Sequence, residues 1–518
     1  MQSMASNAIR QVVVMGGGSA GWLVAAILAA DHPADGPQGL QVTLVESPDV
    51  PIIGVGEGTW PTMRDTLRRI GVSESDFMRE CDAAFKQGSR FNRWVSGAAD
   101  DVYFHPFVLP QGYGDANLAE RWQDAHAHVP FADLTSFQPH LCVHGKAPKQ
   151  ASTPEFAAVA NYGYHLDAGK FARFLRQHCV EKLGVRHVLD HVVAVQAAPN
   201  GDIAALQGAT QGALAGDLFI DCTGLQARLL GQHFDVPLLP QKHVLFNDCA
   251  LAVQVPYPAE DSPIASQTSS TAQRNGWIWD IGLPTRRGIG HVYSSAHCSD
   301  DEAERDLRQY LAASGGPADI SPRKLTFEPG YRARFWHRNC MAIGLSAGFI
   351  EPLEASALAL VELSANMLSE EMPATHGTME LAARRFNDAF RYRWERVIDF
   401  LKLHYVLSKR SDSPYWSDHR ESVPAGLRDM LALWRHRQPS RHDFGRADEV
   451  FPSASWQYIL YGMGFHSAPG GGIRRRDNAQ AADNYFREAA SLTQRMLAAL
   501  PTNRELLDHI RRHGLPTI

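Results

Sequence analysis

The hydrophobic pattern near the N-terminus predicts two strands separated by a helix. The apolar run Gln11–Met15 is typical of a short buried β-strand, and Val42–Val45 indicate a second one. Between them, the Ala- and Leu-rich stretch Trp22–Ala30 predicts a helix. This order and spacing predict a βαβ unit with parallel strands.

The turn between the first strand and the helix carries the pattern G-x-G-x-x-G, and Glu46 ends the second strand. Glycines permit a tight turn and the close approach of a pyrophosphate, whose charge the helix N-terminus favours. An acid at the end of the second strand can bind a ribose hydroxyl. The predicted dinucleotide site comprises Gly16, Gly18, Ser19, Ala20, Gly21 and Glu46. A glycine turn in an unliganded α/β fold is the alternative.

Other glycine-rich segments extend this prediction. Gly54–Thr59, which includes Gly56, indicates a mobile loop over a ligand or a simple surface turn. Leu218–Gly224, which includes Asp221, predict a strand that enters a tight turn, and such a D-x-T-G element lies beside the dinucleotide in FAD enzymes. Gly470–Arg476 is typical of a solvated loop.

The segment Gly344–Gly348 has two interpretations. Its G-x-S-x-G pattern, after the strand-like Cys340–Ile343, is that of a nucleophile elbow and would make Ser346 a hydrolase nucleophile. A hydrolase does not need the N-terminal fingerprint, however. The backbone of a small-residue segment that includes Gly344 can also pass close to a flat flavin ring.

Composition excludes several classes of protein. The 518 residues are 44% hydrophobic and 20% charged, with a formal net charge of −6, as expected of a soluble globular protein that does not bind nucleic acid. Four glycines interrupt the apolar stretch 12–30, so we expect no membrane span there. Seven scattered cysteines without C-x-x-C indicate reduced thiols in a cytoplasm, and no H-E-x-x-H or cysteine spacing suggests a metal site.

Four residues carry candidate chemistry. Lys86 lies in an apolar-flanked stretch, where most lysines are solvated helix residues. Glu354 stands near a predicted helix start, where a carboxylate usually caps the helix or pairs with its dipole. Trp277 and Trp279 are compatible with core aromatics on a strand. Together with the fingerprint and Lys86, they indicate a flavoprotein in which the route of nicotinamide to the flavin is filled.

In their order and spacing, these residues resemble the flavin-dependent halogenases, usually called tryptophan halogenases, over nearly the whole chain. The motifs are Gly16-x-Gly18-x-x-Gly21, Gly54–Thr59, Lys86, Tyr103–Phe107, Trp277 and Trp279 with His291–Ser295, Glu351–Glu354, Asp399–Tyr405 and Ser455–Trp456.

The resemblance implies that a separate NAD(P)H-dependent reductase supplies FADH2, and that oxygen and halide then yield hypohalous acid. Lys86 matches the lysine that hydrogen-bonds this oxidant or forms a haloamine, and a dry site favours the neutral, nucleophilic amine. Glu354 matches the glutamate that polarises the electrophile or accepts the proton lost from the ring.

The resemblance also implies an aromatic substrate site. His105, Phe107 and Trp456 match the residues that sandwich the substrate ring, and Trp277 and Trp279 match those thought to block monooxygenase chemistry. Apolar residues precede Trp456, and no clear clamp for an amino acid is present, so indole or another electron-rich arene is as good a candidate as tryptophan.

Residues 355–357 depart from the family's Ser-Thr-Gly. The last two of these positions, here Ser356 and Ala357, match the family's halide contacts. Ala357 adds a methyl group and loses the backbone freedom of glycine. We therefore hypothesise that bromide is favoured over chloride.

The expected fold is α/β, with a Rossmann-type FAD domain of the hydroxybenzoate-hydroxylase kind over 1–375. Substrate-lobe insertions near 95–160 and 240–300 and a helical C-terminal lobe over 376–518 complete it. A homodimer is compatible with the resemblance. The alternative functions are an FAD-dependent monooxygenase or other oxidoreductase on an aromatic substrate, a serine hydrolase at Ser346, and a non-catalytic flavin binder.

Overall fold

A computed structural model describes residues 8–37, 39–50, 56–468 and 479–517. It divides into two compact units, each built from three stretches of chain. The first unit comprises 1–82, 166–241 and 327–394, and the second comprises 83–165, 242–326 and 395–518. Gly54 and Val55 of the predicted loop and the Gly470–Arg476 segment lie outside the described residues.

The strands, in chain order, are β1 (Gln11–Met15), β2 (Gln41–Glu46), β3 (Gly56–Gly58), β4 (Ala84–Lys86), β5 (Gly88–Asn92), β6 (Val102–Pro106), β7 (Gly163–Asp167), β8 (Arg186–Leu189), β9 (Val192–Ala197), β10 (Ile203–Gly208), β11 (Ala213–Ala215), β12 (Leu218–Asp221), β13 (Leu238–Pro240), β14 (Cys249–Pro256), β15 (Thr268–Gln273), β16 (Gly276–Gly282), β17 (Arg286–Tyr293), β18 (Arg323–Thr326), β19 (Gly330–Arg332), β20 (Trp336–His337), β21 (Cys340–Ala342) and β22 (Gly348–Phe349).

The α-helices, in chain order, are α1 (Ser19–Asp31), α2 (Thr62–Arg69), α3 (Glu74–Glu80), α4 (Leu118–Arg121), α5 (Phe131–Thr135), α6 (Gln138–Val143), α7 (Ala168–Glu181), α8 (Asp300–Ala313), α9 (Ser356–Glu370), α10 (His376–Val406), α11 (Pro414–Glu421), α12 (Ala425–Trp434), α13 (Ser453–Gly462), α14 (Ala479–Ala499) and α15 (Asn503–His513).

The first unit is built on a six-stranded sheet in the order β20-β21-β12-β1-β2-β8. β1 lies between β2 and β12 and is parallel to both. Helix α1 connects β1 to β2 and is buried on all sides from Gly21 to Ala29, which explains why its apolar residues show no amphipathic period. The predicted βαβ unit is therefore confirmed.

The second unit contains a seven-stranded sheet in the order β18-β14-β17-β16-β15-β5-β6. Because side chains alternate across a strand, β16 points Ile278 to one face and both of its tryptophans to the other. Ile278 packs with Ile289 and with Leu307 of α8 in one buried cluster. The opposite face of β16 carries the two tryptophans, which pack in a separate aromatic layer.

The α/β class and the helix-rich C-terminal region are both confirmed, since α10 to α15 account for most of the described chain after residue 375. The functional limits predicted at 1–375 and 376–518, with insertions near 95–160 and 240–300, remain predictions. All seven cysteines are free thiols. Within the described residues, no helix is long and apolar enough to span a membrane, and no cluster of His, Cys, Asp and Glu could hold a metal.

A buried carboxyl group joins α9 to α2 within the first unit. Glu362 is 1% exposed, and its two oxygens accept hydrogen bonds from the hydroxyls of Thr62 at 3.2 Å and Thr66 at 2.5 Å. Burial raises the pKa of Glu362 to about 8, although the two threonine hydrogen bonds oppose this shift. The fold therefore favours the protonated acid at neutral pH.

The stability of the protein should depend on pH through Glu362. Because its folded pKa lies above the ordinary 4.5, the neutral acid stabilises the fold at low pH, and this contribution is lost as the pH rises towards 8. Between these values, the free energy of unfolding should fall by on the order of 4 kcal/mol relative to Glu362→Gln, whose amide does not ionise. Urea unfolding of both proteins across this range tests this, and a difference that does not change with pH would contradict it.

Candidate functional site

The turn from β1 to α1 can close only with glycine at two positions. Gly16 has φ +118°, and a methyl group there would lie 2.2 Å from the carbonyl oxygen of Cys222. A methyl group at Gly21 would lie 1.9 Å from the carbonyl oxygen of Gly16. Both contacts involve backbone, which cannot move aside cheaply, so these two glycines build the turn.

Gly18 has a different role from its neighbours. It caps α1 in an extended conformation without a side-chain hydrogen bond, and the first turn of the helix holds no acidic residue. A methyl group at Gly18 would have no atom within 4 Å. The first N–H groups of α1, from Ser19 to Gly21, lack intrahelical acceptors and lie beside this open space, which suits a pyrophosphate.

Glu46 is fixed beside the glycine turn. Its Oε1 accepts a 2.8 Å hydrogen bond from His187 Nε2, and a methyl group at Gly17 would lie 1.5 Å from its Oε2. The carboxylate thus lies across Gly17, and the side chains of Glu46 and His187 orient each other. A carboxylate held here suits a ribose hydroxyl.

Asp221 fastens the loop that follows β12. One carboxylate oxygen accepts from the amide and hydroxyl of Thr223, and the other accepts from the amides of Leu229 and Leu230 at 2.8 Å each. Within this loop Gly224 has φ +70°. The contacts of Asp221 are therefore those of a residue that shapes the loop.

The nucleophile-elbow interpretation of Ser346 is wrong. The serine is completely buried, and its hydroxyl bonds to the backbone carbonyls of Ile343 and Asp221. The segment is a 3-10 turn that leads into β22, not into a helix. Gly344, with φ +75°, lies against α1, where a methyl group would be 2.8 Å from Ala20 Cβ.

One other local prediction needs correction. Gly56–Gly58, predicted as part of a loop, form the short strand β3. Lys86 is the last residue of β4 and is completely buried, so the alternative of a solvated helix position does not apply to it.

Glu354 lies in an unusual turn before α9. Glu354 and Ala355 have φ values of +63° and +55°, in the left-handed region that residues with a side chain rarely adopt. The carbonyl of Glu354 accepts a 2.8 Å hydrogen bond from Trp60 Nε1, and its side chain is 5% exposed. Helix α9 then begins at Ser356 without a side-chain cap. Ser356 is buried, whereas Ala357, in the same turn, is exposed.

The surroundings of Lys86 are dry and partly aromatic. On β4, Lys86 pairs with Gly163 of β7, and its Nζ lies 5.4 Å from the centre of the Phe107 ring, a cation–π distance. Burial, followed by the charge of Lys86, lowers the pKa of His165 well below its ordinary value. The neutral imidazole and the amine thus share a buried environment.

A buried amide network holds Phe107. Gln138 Oε1 accepts from the amides of Phe107 at 2.8 Å and Val108 at 2.9 Å, and its Nε2 donates to Asn161 O at 2.6 Å. Asn161 Nδ2 donates to Phe107 O at 3.1 Å. Phe107 N also donates to Gln87 O, which joins this turn to the residue after Lys86. The network therefore fixes the backbone on which Phe107 stands relative to β4.

The structure brings His105 and Trp456 to one phenylalanine. The Phe400 ring lies 5.6 Å from His105 and 5.0 Å from Trp456, and it stacks on Phe451 at 3.8 Å. Trp456 is completely buried, His105 is 5% exposed and Phe107 is half-buried. The predicted ring-binding residues His105 and Trp456 thus belong to an apolar aromatic layer.

Trp277 and Trp279 lie on one face of β16, as their spacing predicts. Trp277 is 1% exposed and packs 6.2 Å from Trp94. Trp279 covers Gly290 on β17, where a methyl group would lie 2.1 Å from the indole. Both are therefore core aromatics of the second unit.

Sequence reasoning missed Trp60, Gln138, Phe400 and Glu362. Phe400 stands in a motif that was recognised, but its role depends on which rings surround it. Trp60 follows the glycine-rich segment directly, and this position is the signal that could have drawn attention to it. Gln138 and Glu362 gave no signal, because a polar residue in a helix is usually solvated.

The chain matches the family model for tryptophan halogenase over residues 11–471. The chain belongs to the tryptophan halogenase family. It is 32% identical to tryptophan 7-halogenase KtzQ of Kutzneria sp. (strain 744), over 98% of this chain and 100% of the relative. It superimposes on the crystal structure of a tryptophan halogenase from Shewanella frigidimarina with a TM-score of 0.95 and 48% identity, covering 99% and 100% of the two chains. A flavin-dependent halogenase from Xanthomonas campestris gives a TM-score of 0.86 at 32% identity, covering 99% of each chain.

Family membership settles the class of protein. The α/β fold is that of the flavin-dependent tryptophan halogenases, and the chain is an enzyme of this type. The hydrolase alternative is thereby excluded, in agreement with the buried hydroxyl of Ser346.

Proposed function

We propose that this tryptophan halogenase uses FADH2, oxygen and a halide ion to halogenate an electron-rich aromatic ring. The observation that carries the proposal is Lys86, a completely buried lysine against the ring of Phe107. A charged or reactive amine is expensive to bury, so its presence in a dry aromatic site favours a chemical role.

The first unit offers the residues that would hold FAD. The N–H groups of Ser19, Ala20 and Gly21 would bind the pyrophosphate above Gly18, and Glu46 would bind a ribose hydroxyl. Gly344 and the loop that contains Gly224 would line the cofactor, Asp221 would keep this loop in shape, and Gly56 would approach the cofactor from β3. Bound FAD, reduced by a separate NAD(P)H-dependent reductase, supplies the oxidising chemistry that turns halide and oxygen into hypohalous acid.

Lys86 then carries the oxidant to the substrate. Its Nζ can donate a hydrogen bond to hypohalous acid, or the neutral amine can accept the halogen to form a haloamine while water leaves. Either form keeps the oxidant from solvent, because the lysine is completely buried. The turn that bears Phe107 is fixed relative to β4 by the Gln138 network, so the ring and the amine keep their distance.

Glu354 supports the proton transfer. When the halogen adds to an aromatic ring, the ring must lose one proton to regain aromaticity, and a carboxylate can accept it. A carboxylate can equally polarise the electrophile. The turn at Glu354 and Ala355 holds the group in a defined position at the start of α9.

The aromatic layer favours an apolar substrate such as indole. The ring centres of Phe400, Trp434 and Phe444 lie 5.0 to 5.6 Å from that of Trp456, and Phe451 stacks on Phe400 at 3.8 Å. None of these side chains carries a charge that could pair with an ammonium or a carboxylate. His105, Phe107 and Trp456 would orient the substrate ring. Several relatives are tryptophan halogenases by name, and tryptophan is therefore the second substrate to test.

Ser356 and Ala357 are the proposed halide contacts. They stand in the first turn of α9, where backbone N–H groups lack intrahelical acceptors and favour an anion.

Trp277 and Trp279 would restrict monooxygenase chemistry at the flavin. Seven free thiols suit a reducing cytoplasm.

The Lys86→Ala and Lys86→Met variants should lose halogenation while oxidation of FADH2 by oxygen continues. Turnover mixtures with FAD, a generic flavin reductase, NADH and indole or tryptophan are analysed by mass spectrometry for the halogen isotope pattern. Lys149→Met is a matched control, since Lys149 is also a completely buried lysine, and its Nζ donates to Pro154 O and Tyr162 OH. We expect this control to halogenate.

Three outcomes would contradict these roles. A halogenated product from Lys86→Met at the native rate would show that Lys86 does not carry the oxidant. A product that is heavier by one oxygen and independent of halide would identify a monooxygenase. A yellow protein that forms no product from any arene would identify a non-catalytic flavin binder.

The Gly16→Ala and Gly18→Ala variants should separate folding from FAD binding. Gly16→Ala combines a positive φ with a backbone clash and should lower the free energy of unfolding of the flavin-free protein by about 2 kcal/mol or more. Gly18→Ala should leave it within about 0.5 kcal/mol, because the added methyl group meets no protein atom. Its FAD affinity should nevertheless fall roughly tenfold or more, since the methyl group occupies the space proposed for the pyrophosphate. Unchanged FAD affinity of Gly18→Ala, measured by fluorescence titration, would refute that placement.

Bromide should be preferred over chloride. The methyl group of Ala357 replaces a glycine of the family pattern, and the larger, more weakly hydrated bromide loses less solvation in a less adaptable site. In a competition assay with equal concentrations of the two halides, brominated product should predominate, and Ala357→Gly should shift the ratio towards chloride. Mainly chlorinated product from the native enzyme would rule the preference out.

A further inference from the structure

The turn that carries Glu354 cannot hold its conformation by itself. Two consecutive residues with side chains, Glu354 and Ala355, lie in the left-handed region, and each position is unfavourable for such residues. Such a conformation persists only where surrounding contacts determine it. Within the turn, Ala355 N donates to Pro352 O at 3.0 Å, a bond that closes the turn but does not connect it to another element.

The connection to another element is made by Trp60. Its indole Nε1–H donates to the carbonyl oxygen of Glu354 at 2.8 Å, a short distance for an N–H···O hydrogen bond. The accepting carbonyl belongs to the very peptide that links the two left-handed residues. Rotation of this peptide into a more common conformation would turn the carbonyl away and break the bond.

Trp60 is itself held in place relative to α9. It lies two residues before α2, and Trp60 O accepts from Met63 N in the first turn of that helix. The hydroxyls of Thr62 and Thr66 on α2 bind Glu362. Glu362 lies on α9, about two helical turns after Glu354 in the chain. The indole therefore stands directly before a helix that is attached to α9 at a second point.

We propose that Trp60 is a positioning residue for the proposed catalytic glutamate, and that the Trp60–Glu354 hydrogen bond fixes the peptide that aims the Glu354 carboxylate. The inference rests on the proposed role of Glu354. Trp60 itself does not contact the reacting atoms in this scheme, and it acts only through the backbone of Glu354.

The test uses Trp60→Phe, which keeps an aromatic ring but removes the N–H donor. In the full-length enzyme loaded with FAD, kcat for halogenated product should fall about tenfold, the equivalent of one hydrogen bond. KM for the arene and the rate of FADH2 oxidation should not change. Trp336→Phe is the matched control, since Trp336 is also in the first unit and its Nε1 donates to a backbone carbonyl, that of Arg338, at 2.9 Å. This control should keep the native kcat.

A double-mutant cycle separates positioning from a general structural effect. Glu354→Gln should lower product formation strongly, and Trp60→Phe added to Glu354→Gln should cause no further loss, because the residue being positioned is already disabled. Losses that multiply would overturn the inference. Native product formation by Glu354→Gln would refute the proposed role of Glu354 and the inference with it, whereas loss in Glu354→Gln with a native kcat in Trp60→Phe would overturn the inference alone.

A measurement on the flavin-free protein tests, without catalysis, whether the Trp60–Glu354 hydrogen bond holds the turn. Amide hydrogen exchange followed by mass spectrometry should be faster in the segment 350–358 of Trp60→Phe and unchanged there in Trp336→Phe. Equal exchange in the native protein and Trp60→Phe would overturn the inference. If Trp60→Phe does not fold, benzothienylalanine at position 60 replaces the N–H by sulfur within the same bicyclic shape, and the same outcomes apply.

Discussion

The proposed catalytic end of the first unit depends on a backbone turn that is unfavourable by itself. Glu354 and Ala355 both take left-handed conformations, and they immediately precede α9. This turn presents a carboxylate and begins a helix whose first N–H groups have no side-chain cap. The proposed halide site and the proposed proton acceptor thereby come from one short segment, whose backbone strain neighbouring residues must offset.

The second unit solves a different problem, the burial of an amine. Lys86 lies on a β-strand, so its backbone is fixed by strand pairing and not by a flexible loop. The adjoining amide network of Gln87, Gln138 and Asn161 satisfies buried polar groups next to it and fixes the turn that carries Phe107. Rigid surroundings of this kind suit the role proposed for Lys86, which is to pass a reactive oxidant to the substrate without loss to water.

The sequence predicted the parts of the fold whose signals are local. The glycines at 16 and 21 are required by contacts with the backbone, and β1 was placed at its observed bounds. Trp277 and Trp279 were compatible with core aromatics on a strand, and the structure places both on β16. The nucleophile-elbow interpretation failed because the G-x-S-x-G pattern is compatible with more than one structure. In this protein the segment forms a 3-10 turn, and its serine is buried.

The sequence by itself determined the family, the dinucleotide fingerprint and the strand–helix order, because glycine requirements and hydrophobic periodicity act over a few residues. Only the tertiary structure decided that Lys86 is buried, that Asp221 shapes a loop and that Phe400 lies beside both His105 and Trp456. The Trp60–Glu354 bond joins residues 294 positions apart. Contacts of this kind arise from packing between distant segments, and no local pattern specifies them.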